Sequence, residues 1–167
     1  MAVLPLKYVG ESVLRRKADK VDSVDKAVAR LLDDMVDTMY AANGVGLAAP
    51  QIGVSKRLFV ADVGDGPIKL VNPRLVDHKG RAYGTEGCLS IPGVMGQVER
   101  WKNVVFKGLD EKGEPVVYEA SGLLAVVFQH EFDHLEGQLF TDLAVELIDA
   151  EAIERDGEPE GFEDEDE

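Results

Sequence analysis

The stretch from Ser121 to Leu135 constrains this chain more than any other. It is nearly all apolar as far as Gln129, then carries His130-Glu131-Phe132-Asp133-His134, and Gly137 ends it. A helix that is apolar on most sides must be buried on most sides. Burying His, Glu, Asp and His together is costly unless they find a partner. Histidines at i and i+4 lie on one face, one turn apart. Their imidazoles can converge on one metal ion, with Glu131 beside them to act on a metal-held water. The bland alternative is a helix end at which the two histidines pair with Asp133 and Glu136.

A catalytic tetrahedral site needs a third protein ligand. The extended zinc-protease pattern would place a histidine where Phe140 stands, which argues against that class. Glu154 is a downstream candidate but sits where an acidic tail begins, and His78, in Asp77-His-Lys-Gly80, reads as a surface side chain. Cys88 remains, in the glycine-rich Gly84-Thr-Glu-Gly-Cys-Leu-Ser-Ile-Pro-Gly93. A lone cysteine is usually a small buried hydrophobe. Gly87 before it and a Ser90–Pro92 turn after it would instead let it approach another group closely. A thiolate with two imidazoles suits zinc or ferrous iron and not magnesium or calcium. A Cys–His nucleophile is a competing reading, ranked lower because it leaves the second histidine and Glu131 unused.

A third segment, Gly44-Val-Gly-Leu-Ala-Ala-Pro-Gln51, has the letters of a dinucleotide fingerprint in the wrong context. A fingerprint follows a strand and opens a helix; this one follows a helix and runs into Pro50 and Gly53. Its glycines suit close approach of an extended ligand backbone, and Gln51 can donate a side-chain N–H to an oxyanion.

Around these segments the pattern predicts a helix at about 24–42, capped by Ser23, and strands at 57–63, 68–71, 98–109 and 115–120. The last two read as a hairpin through Asp110–Gly113. A third helix is expected at about 143–153, capped by Asp142. A helix, several antiparallel strands and then helices indicate an α+β domain. The expected architecture is antiparallel sheets around the motif-bearing helix, with an N-terminal helix and a short C-terminal helix.

Of the net charge of −14, residues 151–167 carry −9, from ten acidic residues and one basic, which leaves −5 for residues 1–150. The expected division is a catalytic domain over 1–154 and an acidic, disordered tail over 155–167. The charge argues against nucleic acid as the main partner, which needs clustered Lys and Arg. One cysteine excludes an internal disulfide. The first residues lack signal-peptide character, and the longest apolar run, Leu123–Phe128, falls far short of the ~20 residues that span a bilayer. A soluble, cytoplasmic monomer is expected.

Together, Gly44–Gln51, Glu86-Gly-Cys-Leu-Ser90 and Gln129-His-Glu-Phe-Asp-His134 resemble the three signature motifs of the peptide deformylase family, in the family's order. The similarity runs over roughly residues 3–150 and includes Leu14–Ala18 and Leu139–Asp142. The resemblance implies removal of the formyl group from N-formylmethionine of nascent peptides, with release of formate. It makes Cys88, His130 and His134 ligands of one divalent metal per chain, Fe(II) by expectation, with zinc, nickel or cobalt able to occupy the site. It implies attack by a water that the metal activates, Glu131 as general acid and base, and an oxyanion held by Gln51 and the Leu89 N–H. Substrate would add as a strand along Val45–Gly46, and the methionine pocket would fall on Val45, Glu86, Leu123, Val126, Val127 and His130. Transient contact with the ribosome is a further implication. Gly84 departs from the bulkier aliphatic side chain the family often has there.

Overall fold

Asp25, rather than Ser23, starts the first helix: its carboxylate accepts the Val28 N–H at 2.9 Å, and α1 runs over Lys26–Ala41. The expected span of 24–42 is thus trimmed at both ends, because the aspartate reaches the third amide that an N-cap must satisfy. Its apolar stripe, including Leu32, Met35 and Met39, packs on Leu47, Leu58 and Val60. The computed structural model describes residues 2–149 together with the backbone of Glu163–Asp164.

The strands are β1 (Gly46–Ala48), β2 (Leu58–Ala61), β3 (Ile68–Cys88), β4 (Ile91–Leu109), β5 (Pro115–Ser121), β6 (Glu146–Asp149) and β7 (Glu163–Asp164). They form one antiparallel sheet in the order β1-β2-β3-β4-β5, with β6 paired to β4 and β7 to β3. The hairpin expected through Asp110–Gly113 is β4–β5. Sequence periodicity ended a strand at Val71 and began another at Val98, whereas β3 and β4 join these pieces into one long hairpin. The intervening residues are rich in Gly and charge, and bulges between Val71/Arg74 and Leu75/Asp77 break the alternation that marks a strand. At the tip Cys88 pairs with Ile91, leaving Leu89 and Ser90 as the turn.

The motif helix, α2 (Gly122–Leu135), lies against the sheet. Phe128 meets Phe59 and Phe106, with ring centroids 5.5 and 5.6 Å apart. Gln129 stitches α2 to β4, accepting the Trp101 N–H at 2.9 Å and donating to the Trp101 carbonyl at 2.9 Å. Arg57 donates to the Leu135 carbonyl at 3.1 Å, closing the C-terminal end. Gly137 follows with φ +75°, where a Cβ would stand 2.6 Å from the Arg15 carbonyl oxygen. Only glycine meets both demands.

The third helix is corrected by the structure. It covers only Phe140–Leu143, and Glu146–Asp149, expected to be helical, form β6 against Val94–Gln97. Asp142 does not cap a following helix; it reaches back to accept the Leu139 N–H at 3.0 Å and pairs with Arg15. Ala144 is already extended, at φ −64° and ψ 133°. The rest of that expected helix, residues 150–153, and the domain boundary at 154 lie outside the described residues. Among the described residues no helix is long and apolar enough to cross a membrane.

Phe128 is fully buried at the junction of α2 with the sheet. Phe128→Ala should lower the free energy of unfolding by about 3–5 kcal/mol, read from urea titration. A loss below about 1 kcal/mol would contradict this packing.

Candidate metal centre and cavity

Three elements bring the chemistry together. The turn after β1 supplies Gln51, the end of β3 supplies Glu86 and Cys88, and α2 supplies His130, Glu131 and His134. The ligating atoms of Cys88, His130 and His134 all lie within 4.8 Å of one another. Cys88 Sγ is 3.4 Å from His134 Nε2. A sulfur and two imidazole nitrogens at this mutual distance fit one tetrahedral ion of the zinc or ferrous type. Phe140, which fills the zinc-protease histidine position, is fully buried and stacks on the His130 ring at 6.0 Å. It is a buried core residue packed on His130 and carries no ligand atom. His78 is exposed and stacks on Trp101 at 3.7 Å, away from the centre, and Glu154 lies outside the described residues.

His130 is oriented from behind. Its Nδ1 faces Glu86 Oε1 at 2.9 Å, which fixes the tautomer and leaves Nε2 free for an ion. Glu86 in turn is clasped by Arg100, Nε to Oε2 and Nη2 to Oε1, both at 2.8 Å. The remaining Arg100 nitrogen, Nη1, reaches Asp133. Burial pushes the Glu86 carboxyl up, but Arg100 and His130 outweigh it and hold it at about 2. Arg100 loses affinity for its proton through burial and regains more than that from Glu86 and Asp133, so it stays charged.

The other groups follow from burial. Desolvation, with the neighbouring His130 ring and Arg100 acting the same way, drives His134 well below its ordinary range, so it is a neutral imidazole. Burial raises Asp133. Burial also lifts Glu131 to about 7, the Glu86 and Asp133 carboxylates adding to it and His130 and Arg100 opposing it. Among the described residues Glu131 Oε1 is buried without a hydrogen-bond partner, a state that a structural carboxylate would avoid.

A cavity of about 360 Å³ opens beside these groups. Every expected site residue except His134 lines it: Val45, Gly46, Gln51, Glu86, Cys88, Leu89, Leu123, Val126, Val127, His130 and Glu131. Val45 and Leu123 are exposed at its mouth. Gly46 is obligatory, since a Cβ there would stand 2.5 Å from Glu131 Oε2 and 2.7 Å from Val127 Cγ1. Gly84 is buried opposite Val98 in the β3–β4 ladder and is not among the lining residues.

Sequence reasoning missed Asn43, Thr85 and Gly87 in the lining and, more tellingly, Arg100. A signal existed. Val98, Val104 and Phe106 mark the inward face of β4 by alternation, and Arg100 falls on that face. An arginine at an inward position calls for a buried carboxylate.

Removing Arg100 strands the buried Glu86 carboxylate and leaves the partly buried Asp133 without its cation. Arg100→Ala should cost about 3–5 kcal/mol of stability and weaken metal binding by about 10–100-fold, measured by denaturation and by competition with a chromogenic chelator. Unchanged metal affinity in a folded variant would refute the role given to the Glu86 contact.

Known proteins resemble this chain along most of its length. The family model described as polypeptide deformylase matches residues 3–149. A peptide deformylase of Acetivibrio thermocellus is 52% identical over 155 residues, 93% of this chain and 91% of the relative; one from Syntrophomonas wolfei is 51% identical over 146 residues, 87% and 96%. Among solved structures, the Thermotoga maritima peptide deformylase superposes with a TM-score of 0.85 at 40% identity, covering 87% of this chain and all of that one. The Synechococcus elongatus peptide deformylase, in complex with actinonin, gives 0.83 at 42% identity, covering 93% and 87%. With three motifs converging on one cavity and this likeness along nearly its whole length, the chain belongs to the polypeptide deformylase family.

Proposed function

We propose that this chain removes the N-formyl group from N-formylmethionine at the start of newly made peptides, releasing formate. One observation carries the reading. Cys88, His130 and His134 converge at the cavity beside Glu131, whose inner oxygen is buried and unpaired. The residues fit a divalent ion, Fe(II) by expectation, and zinc, nickel or cobalt suit the same donors. Such an ion, when bound, supplies Lewis acidity that polarises the formyl carbonyl and makes a water acidic near neutral pH.

The chain's own groups do the rest. Glu131 takes the proton of the attacking water at its free oxygen and returns it to the amine nitrogen that leaves. Gln51 and the Leu89 N–H are the donors to the oxyanion. Val45, Leu123, Val126 and Val127 give the cavity aliphatic walls for a methionine side chain, and about 360 Å³ accommodates it. Among the described residues β1 is the last strand of the sheet and its outer edge carries no partner strand, which leaves it open to strand addition. The Val45 carbonyl accepts the Asp62 N–H at 2.9 Å; alternation then turns the Gly46 N–H and C=O outward for a peptide. Backbone pairing of this kind accepts many sequences after the first residue, as a nascent-chain enzyme requires.

Loaded anaerobically with ferrous iron, the protein should release formate from formyl-Met peptides and cleave no internal peptide bond. Chelation should abolish the release and ferrous iron should restore it. Glu131→Ala should keep its metal while kcat falls by about 10²–10⁴-fold. Retained turnover in that variant removes Glu131 as the general base, and absence of formate from the loaded native protein overturns the function.

A further inference from the structure

The Gln51 carboxamide is fixed at both ends. Its Oε1 accepts the Ala48 N–H at 2.9 Å, which determines which end of the amide is oxygen. Its Nε2 lies 3.2 Å from Ser90 Oγ and 3.5 Å from Cys88 Sγ. A primary amide has two N–H donors. One goes to Ser90, and the second is left facing the thiol and the cavity beside it. Without Ser90 the amide would be held firmly only at its oxygen, by the Ala48 N–H, and its nitrogen end would be less well aimed; ordering that end during the reaction would cost side-chain entropy.

Ser90 is itself immobilised. It is fully buried in the turn between β3 and β4, and its carbonyl accepts the Val9 N–H at 2.8 Å. The Gln51 carbonyl accepts the Lys7 N–H at 2.7 Å. Lys7 and Val9 are only two residues apart, so one short stretch braces Gln51 and Ser90 against each other. Leu4 and Leu6 anchor that stretch on the cluster around α1.

We propose that Ser90 is a positioning residue for Gln51: its hydroxyl holds one amide N–H so that the other stays aimed at the oxyanion site beside Cys88. This rests on the reading of Gln51 as an oxyanion donor. A donor aimed in advance loses no reorganisation energy as charge develops on the substrate oxygen.

The test is a double-mutant cycle on the full chain, loaded with ferrous iron and assayed anaerobically with a formyl-Met peptide. Gln51→Ala alone should lower kcat by about 10²-fold. Ser90→Ala alone should lower kcat about tenfold, the worth of one hydrogen bond, with KM changed less than about twofold and metal content unaltered. In the Gln51→Ala background, Ser90→Ala should change kcat by less than about twofold, since its target is gone. An equal loss in both backgrounds, loss of metal, or no effect in the native background overturns the positioning role. A full-rate Gln51→Ala variant instead overturns the oxyanion reading. If Ser90→Ala does not fold, Val9→Pro, which deletes the N–H given to Ser90 from an exposed position, enters the same cycle under the same criteria.

Discussion

The buried pair of Arg100 and Glu86 is the interaction on which the site depends. Packing demands that α2 sink into the sheet, and that drags His130, Glu131, Asp133 and His134 out of water. Charges in such a place need partners with good geometry. Arg100 answers with both edges of its guanidinium, one on Glu86 and one on Asp133. Arg100 sits on β4 and Glu86 on β3, and their contacts to Asp133 and His130 lock the long hairpin to the helix. Cys88 lies two residues beyond Glu86, so whatever sets Glu86 sets the thiol.

The arrangement trades stability for chemistry. An apolar replacement of the ion pair would pack as well and cost less desolvation, yet it would leave the His130 ring without the acceptor that fixes its tautomer. Glu131 Oε1 carries the same trade further, since burial without a partner is tolerable only for a group with work to do on a ligand. Gly46 shows it sterically. At Gly46, β1 approaches Glu131 so closely that no side chain fits between them.

Much of this was legible in the sequence, for local reasons. The i, i+4 histidines, the buried character of α2 and the suitability of Cys88 as third ligand follow from spacing and composition, and the structure brings those three residues together. The family resemblance supplied the pocket walls. What escaped depends on long-range pairing. The middle of β3 and β4 is obscured by bulges and glycines, and Arg100 looks like a surface residue until the inward face of β4 is known. Residues 146–149 carry a helical pattern overridden by the open edge of β4. The brace from Lys7 and Val9 is made by backbone amides, which no side-chain pattern records.

Two separated segments, the end of β3 with Cys88 and α2 with His130 and His134, bring one sulfur and two imidazoles together in a geometry that fits a single metal ion. X-ray absorption at the iron edge of anaerobically loaded protein tests it most directly. The expected spectrum has one sulfur and two imidazole nitrogens from the chain, with the sulfur lost in Cys88→Ser and one imidazole lost in His134→Ala. An iron site with no sulfur, or one whose ligands survive both substitutions, would contradict it.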